Sequence, residues 1–361
     1  MVVWSRSRHL SHVRTGLTLL ARQGSIRLSQ EVRARPPAGT DDPAHLRDAR
    51  DAHMQLVLDG ALHLYIDAHD SWELDSLGLA HCDLYFKRSL APAKIPATLR
   101  DRVQPLGLYY RVYPGGFDRF EAVRERAFGQ GLVRYAAASV SARFGVGRYA
   151  QHVARLCAPP DFLAEPRVLF MTQVWEPAGD DRSAEKADER RAMNELRAEC
   201  VVRLRRELGS RFVGGLRHSG YARRYFPHAL LEENGRSERG RYLAMLRGFP
   251  ICVATTGLHG SIGAKMGEYV AFSKAIVSEP LHYQLPGEFR DGSNYLGFSS
   301  ADACVERIGS LIDDAGLRRS MMQRNWSYYR SFVRPDELVR NALALALGRG
   351  SRGSAPEACG H

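Results

Sequence analysis

From residue 167 onward the chain alternates short apolar runs with helix-patterned stretches, and this alternation restricts the fold more than any other feature. Residues 167–174, 211–215, 251–255, 275–279 and 295–298 are apolar runs of strand length. Between and after them, residues 184–208, 239–247, 265–272, 301–313, 317–329 and 335–347 carry helical spacing, the first as a long charged amphipathic stretch. Strands that alternate with helices make a mainly parallel sheet with helices on its faces. The first part of the chain repeats the pattern less regularly. Residues 1–5 read as a strand, 12–23 as a helix (Val13, Leu17, Leu20, Ala21), and 25–29, 61–66, 82–86 and 106–112 as further strands, with a Pro- and Asp-rich loop at 35–48.

At 361 residues the chain exceeds the usual size of one hydrophobic core. Pro159, Pro160 and Pro166 mark residues 156–166 as a linker. The expected organisation is an N-terminal α/β domain over 1–155, a second over 167–334, a closing helix at 335–347 and a disordered Gly/Ser-rich tail at 348–361. The fold class read here is α/β, two Rossmann-like domains facing a central cleft.

The net charge of +11 admits a phosphorylated ligand, nucleic acid or an anionic membrane surface. It comes almost wholly from arginine, since lysine occurs only at Lys87, Lys94, Lys186, Lys265 and Lys274. The basic residues form no stripe and the aromatics fall within core-like strands, so no nucleic-acid partner is expected. The six cysteines include no CxxC pair, no histidine stands beside them at metal-ligand spacing, and no segment has the ~20 apolar residues of a membrane span. A reducing cytoplasm is the expected setting, with peripheral contact to an anionic membrane as the only membrane role.

Chemistry concentrates in residues 255–269. An apolar strand runs into a loop with Gly257, Gly260 and Gly263, and a helix then begins with Lys265 in its first turn and Glu268 one turn on. Glycines let backbone N–H groups approach a phosphate, and a helix N-terminus adds partial positive charge. Lys265 can reach the same anion, and Glu268 can accept hydrogen bonds from ribose hydroxyls. The same spacing also suits a plain strand–turn–helix. His259 either contacts the ligand or is a solvated loop histidine.

The run Gly267-Glu268-Tyr269, through Ser273 to Glu279, resembles the motif of GT-B glycosyltransferases of group 1, in which a helix bearing a glutamate is followed by a small-residue turn and an apolar strand. Gly292-Ser293-Asn294, an apolar strand and two helices follow in the family's order, so the resemblance covers roughly residues 236–347. It implies a sugar transferase of the surface-polysaccharide type; a nucleotide-sugar epimerase or polyol-phosphate transferase of the same fold, or a non-catalytic basic binding protein, is the alternative. Glu268 would bind the ribose of a nucleotide-sugar donor, with Gln173, His259, Gly260, Ser261, Gly263, Lys265 and Tyr269 around it. Trp175 and Glu176, after the first strand of the domain, are further contacts. The resemblance implies no metal or other cofactor, only a nucleotide sugar as co-substrate. The partner would be a saccharide or lipid-linked acceptor. Retaining members often carry an acid eight positions before this glutamate. That position is Gly260 here, which leaves the stereochemical course open.

In the first domain the loop Asp67-Ala68-His69-Asp70 follows a strand. An acceptor hydroxyl must lose a proton to attack, and Asp70 or His69 is the expected base. Asp70 alternatively caps a helix beginning near Ser71. Lys87 and Arg88, at the end of the next strand, are read as phosphate or acceptor contacts, or as a solvated strand end. Arg197, Arg223 and Arg224 are read as diphosphate partners in the second domain.

Overall fold

A computed structural model describes residues 1–3, 7–33, 52–116, 118, 120, 123, 140, 151–177, 184–233 and 238–353. The loop expected at 35–48 and the end of the expected tail, from 354, lie outside the described residues.

Strand β1 (Val2–Val3) leads through a 3-10 turn (Arg8–Leu10) into helix α1 (Ser11–Arg22). The Ser7 side chain accepts from His9 N and so caps the turn. Val13, Leu17 and Leu20 are buried at helical spacing and, with Leu10 of the preceding turn, give α1 its core face. After β2 (Glu31–Val32) come β3 (His53–Leu58) and β4 (Leu62–Asp67), an antiparallel hairpin. It turns through Asp59-Gly60-Ala61, with left-handed φ of 49° and 74° at the first two and Ala61 N donating to the Leu58 carbonyl at 3.0 Å. Helix α2 (Ser76–Ala80), β5 (Leu84–Lys87) and β6 (Val103–Pro105) follow. The sheet order is β2-β1-β3-β4-β5-β6. Strand β3 is antiparallel to both neighbours, and the other pairs are parallel.

The second sheet is regular. Strand β7 (Val168–Thr172), α3 (Ala184–Leu208), β8 (Phe212–Leu216), α4 (Gly220–Tyr225), α5 (Arg239–Arg247), β9 (Ile251–Ala254), α6 (Ala264–Ala271), β10 (Ala275–Ser278), β11 (Leu296–Gly297), α7 (Ala301–Asp313) and α8 (Ala315–Tyr328) follow in turn. All pairs are parallel, in the order β11-β10-β9-β7-β8. Counted from β7 this is the 2-1-3-4-5 order of a doubly wound sheet, whose direction of growth reverses between β7 and β9. The core packs Val168, Phe170 and Val253 of the sheet against Val201 and Leu204 of α3 and Ile308 and Leu311 of α7, all buried. Burial of each such side chain contributes about 1.5–3 kcal/mol.

The final helix, α9 (Pro335–Gly353), runs past the end expected at 347. Leu338, Val339, Ala342 and Ala346 close the core of the first sheet, beside α1. Two compact units result: Met1–Arg155 with Tyr283–Gly287 and Arg330–His361, and Leu156–His282 with Glu288–Tyr329. Each is built on a mainly parallel α/β sheet of Rossmann type. The strand expected at 25–29 gives way to the two-residue β2, and residues 106–112 form no strand. No disulfide joins the described cysteines, and no helix among the described residues is long and apolar enough to cross a membrane.

Candidate functional site

Ligands of doubly wound sheets bind beyond the carboxyl ends of the strands where the order reverses. In the second unit that place is a cavity of about 420 Å³. Met171, Thr172, Gln173 and Trp175 enter it from the end of β7, and Thr255, Thr256 and Gly257 from the end of β9. Gly263, Ala264, Lys265 and Glu268 of α6 complete one wall, with Arg197, Arg217, Arg239 and Tyr242 around them.

The floor is set by one clamped peptide. Glu279 Oε2 accepts from Thr256 N at 2.7 Å and Thr256 Oγ1 at 3.2 Å. Arg197 Nη2 donates to the Thr256 carbonyl at 2.6 Å, and its Nη1 to the Gln173 carbonyl at 2.6 Å. Arg197, expected on a diphosphate, thus ties together the two loops that follow β7 and β9. It is 4% exposed, and burial lowers its pKa to about 10 against the opposing pull of Glu279.

Gly263 is the N-cap of α6 and makes no side-chain cap bond; of the first-turn N–H groups, Met266 N donates to the Gly263 carbonyl at 3.1 Å. Only the Thr255 carbonyl, at 4.0 Å, comes within range of a Cβ built on Gly263, which leaves that approach open. Lys265 Nζ donates to the Met171 carbonyl and lies 5.2 Å from the centre of the Tyr242 ring. Burial pushes its pKa down to about 8; Glu268 opposes that shift, while Arg197 and Arg239 add to it.

Glu268 is 4% exposed. Its Oε1 takes Arg239 Nη1 at 2.5 Å, and its Oε2, also buried, has no hydrogen-bond partner among the described residues. The buried indole Nε1 of Trp175 is also without a partner among the described residues. A buried polar atom left unpaired costs about 1–3 kcal/mol. One open acceptor and one open donor on a single cavity are what a hydroxyl-rich ligand would satisfy.

Of the residues expected here, Gln173, Trp175, Gly263, Lys265, Glu268 and Arg197 line the cavity; Glu176, His259, Gly260, Ser261 and Tyr269 do not. His259 is exposed with φ 61°, and its backbone N donates to Glu189 Oε1 at 3.0 Å. Gly260 follows it at φ 65°. The Ser261 carbonyl accepts from Gly257 N at 2.7 Å, so these three residues shape the loop. Tyr269 lies in the core, with its hydroxyl on the Val253 carbonyl at 3.3 Å. Arg223 and Arg224 are exposed on α4. Arg239, Arg217 and Glu279 were not singled out from sequence. The Arg239–Glu268 pair spans 29 positions, and no local spacing announces it.

The first-unit residues separate into two clusters. Asp67 is fully buried, with Lys87 Nζ on Oδ2 at 2.7 Å, the Tyr85 hydroxyl on Oδ2 at 2.5 Å, and His53 Nε2 3.2 Å from Oδ1. Burial alone would raise its pKa; the charges and hydrogen bonds of Lys87 and His53 hold it well below the usual carboxylate range. Lys87 is therefore an internal counter-ion, not the surface phosphate contact expected of it. Asp70 pairs with Arg88. It caps no helix at Ser71; α2 begins at Ser76, where Asp75 accepts from Leu77 N at 3.3 Å. His69 Nδ1 accepts from the backbone N of Ser71 at 3.2 Å. That N–H can only donate, so the neutral ring carries its proton on Nε2. A ring in this tautomer offers Nε2 as a donor rather than as the base expected at His69.

No protein-family model and no curated protein sequence matches the chain. Among solved structures it is similar to the C-terminal domain of a glycosyl transferase group 1 family protein, LpcC, from Francisella tularensis (10% identity, 49% of this chain and 95% of that one, TM-score 0.34). It is also similar to HepE of Anabaena, crystallised with UDP-glucose (11% identity, 75% of this chain and 64% of that one, TM-score 0.36). A candidate UDP-N-acetylglucosamine 2-epimerase from Listeria monocytogenes is similar over 98% of this chain and 97% of its own, at 9% identity and a TM-score of 0.46.

Proposed function

We propose that the protein is a glycosyltransferase that moves a sugar from a nucleoside-diphosphate sugar to a saccharide or lipid-linked acceptor. The observation that carries this reading is Glu268. Its buried Oε2, unpartnered among the described residues, stands one helical turn from Lys265, on one cavity at the switch point of the second sheet. A ribose hydroxyl would donate to Oε2. The diphosphate would lie toward Lys265 and the start of α6, where cationic and dipolar stabilisation favours departure of the nucleoside diphosphate as the sugar–oxygen bond breaks. This reading assigns neutralisation of the leaving group to the chain's own groups and gives a metal ion no step. The acceptor hydroxyl would lose its proton as it attacks. Asp70, half-exposed beside Arg88, is the proposed first-unit carboxylate for that proton, and His69 beside it would donate to the acceptor.

The test is a thermal-shift panel of UDP-, GDP-, ADP- and dTDP-sugars. At least one should stabilise the protein, and Glu268→Ala should abolish the response. Stabilisation by none of the four, or a full response from Glu268→Ala, would overturn the reading. Incubating the stabilising donor without acceptor then separates transfer from epimerisation, because only an epimerase converts the donor sugar alone.

A further inference from the structure

The two carboxylate oxygens of Glu268 stand in different surroundings. Oε1 is held by Arg239 Nη1 at 2.5 Å, an ion pair that joins the first residue of α5 to the middle of α6. Oε2 is buried and meets no donor among the described residues. Both side chains line the same cavity, which lies wholly in the second unit. The Glu268 side chain is 4% exposed and that of Arg239 is 32% exposed. The Arg239 guanidinium also stands 6.0 Å from the centre of the Tyr242 ring, and Lys265 Nζ stands 5.2 Å from the same centre. Arg239, Tyr242, Lys265 and Glu268 therefore form one group on the cavity wall.

This asymmetry limits how a ribose can be read. The two ribose hydroxyls are neighbours on one edge of the ring, and a carboxylate with both oxygens open can accept from both. Here a neutral hydroxyl would have to displace a guanidinium from Oε1. A hydrogen bond between two charged groups is stronger than one from a neutral donor, and a carboxylate so deeply buried is poorly tolerated once its cation leaves. Arg239 therefore stays, and only Oε2 receives a hydroxyl. With Glu268 almost wholly buried, Oε2 has room for one donor. The second hydroxyl finds no carboxylate oxygen, and any polar contact it makes instead replaces a bond to water at little net gain.

We propose that Arg239 is a specificity-determining residue. By occupying Oε1 it restricts Glu268 to reading one ribose hydroxyl, so the site accepts nucleoside diphosphates that lack the other one. The donor class then extends to sugars carried on a nucleoside diphosphate whose sugar ring has a single hydroxyl. The assignment rests on the nucleotide-sugar reading above.

Isothermal titration calorimetry on the full-length protein tests it. The ligands are nucleoside diphosphates of uracil, adenine, guanine and thymine, each with ribose, 2′-deoxyribose and 3′-deoxyribose. In a series that binds, one monodeoxy form should bind within about threefold of the ribose form, and the other roughly tenfold or more weakly, the effect of losing one charge-assisted hydrogen bond. Arg239→Met keeps an apolar side chain of similar reach beside Tyr242 and opens Oε1. The monodeoxy form that the wild type tolerates should then bind roughly fivefold or more weakly than its ribose form. A uniform loss of affinity, from a weakened fold or a missing cation, cancels in that ratio, so a purely structural role for Arg239 would leave it unmoved. Weak binding of both monodeoxy forms to the wild type would mean that both hydroxyls are read, and would overturn the inference while the transferase reading stands. Equal binding of all three forms would overturn it too, along with the ribose contact of Glu268. An unchanged ratio in Arg239→Met would overturn the role of Arg239. Binding of none of the four series would overturn the transferase reading, and this inference with it.

Discussion

At the scale of single residues, burial gives Lys265 two opposite dependences on pH. Its folded pKa of about 8 lies below its ordinary value of 10.5. Between those values the unfolded chain holds a proton that the folded chain has lost, so the stability of the ligand-free protein should rise with pH across that window. Donor affinity should change the other way, because the ammonium that would meet the diphosphate disappears above about pH 8. Urea melts and donor titrations from pH 7 to 10 check both; donor affinity that holds constant to pH 10 would exclude Lys265 from anion binding. Asp67 makes a different case. Its folded pKa is depressed, so its contribution to stability is present above the ordinary aspartate range and lost as pH falls through it. Asp67→Asn would leave the Lys87 ammonium buried without its counter-ion, at a cost of about 3–5 kcal/mol. The urea midpoint should fall accordingly, while sugar-nucleotide binding, whose cavity lies wholly in the second unit, should persist once the variant is folded.

At the scale of elements, α1 and α9 meet through a glycine. A Cβ on Gly16 would stand 2.1 Å from the Pro335 carbonyl oxygen and 2.5 Å from Val339 Cγ2. Alanine favours an isolated helix over glycine by about 1 kcal/mol, so Gly16→Ala sets local propensity against tertiary fit. The clash is with backbone, which cannot swing aside, and the variant should be less stable, with faster amide exchange in α9. A gain in stability would show that the two helices can separate at no cost. The elements of the second sheet were legible in sequence because each is a short apolar run between polar helices, and helices 184–208, 239–247 and 301–313 match the expected bounds. The first sheet was less so. Strand β3 begins at His53 and alternates only loosely, and its partner is chosen by the Asp59-Gly60 turn, a hairpin signal set within an otherwise parallel pattern. Residues 106–112 alternate because Leu106, Leu108, Tyr110 and Val112 are buried, yet Gly107 at φ 111° departs from the extended backbone of a ladder. Periodicity reports burial, and here burial and strand pairing part company. The glycine loop, Lys265 and Glu268 could likewise be found from local order. Arg239, and the Glu279–Thr256–Arg197 clamp, depend on which distant segments the sheet makes neighbours.

At the scale of the whole molecule, the two units differ in how they depend on chain continuity. The second draws its sheet and every residue of its cavity from 156–329, apart from Tyr283–Gly287, which belong to the first unit. The first needs α9, contributed from the far end of the chain, to cover Leu10, then Val13, Leu17 and Leu20 of α1, and the apolar face of β3 and β4. A fragment of residues 156–329 should therefore fold and bind the same sugar nucleotide as the full chain, whereas residues 1–155 alone should not fold cooperatively. Leu338, Val339, Ala342 and Ala346 would be missing from that core, and at about 25 cal/mol per Å² of apolar surface returned to water, losing a whole helix face exceeds what a domain of marginal stability can absorb. Adding residues 330–353 to the 1–155 fragment, through a flexible linker, should restore a cooperative melt. Circular dichroism of the three fragments, with a donor titration of the second unit, decides the matter. Cooperative folding of 1–155 on its own would mean that α9 is an addition to the first core and not a part of it.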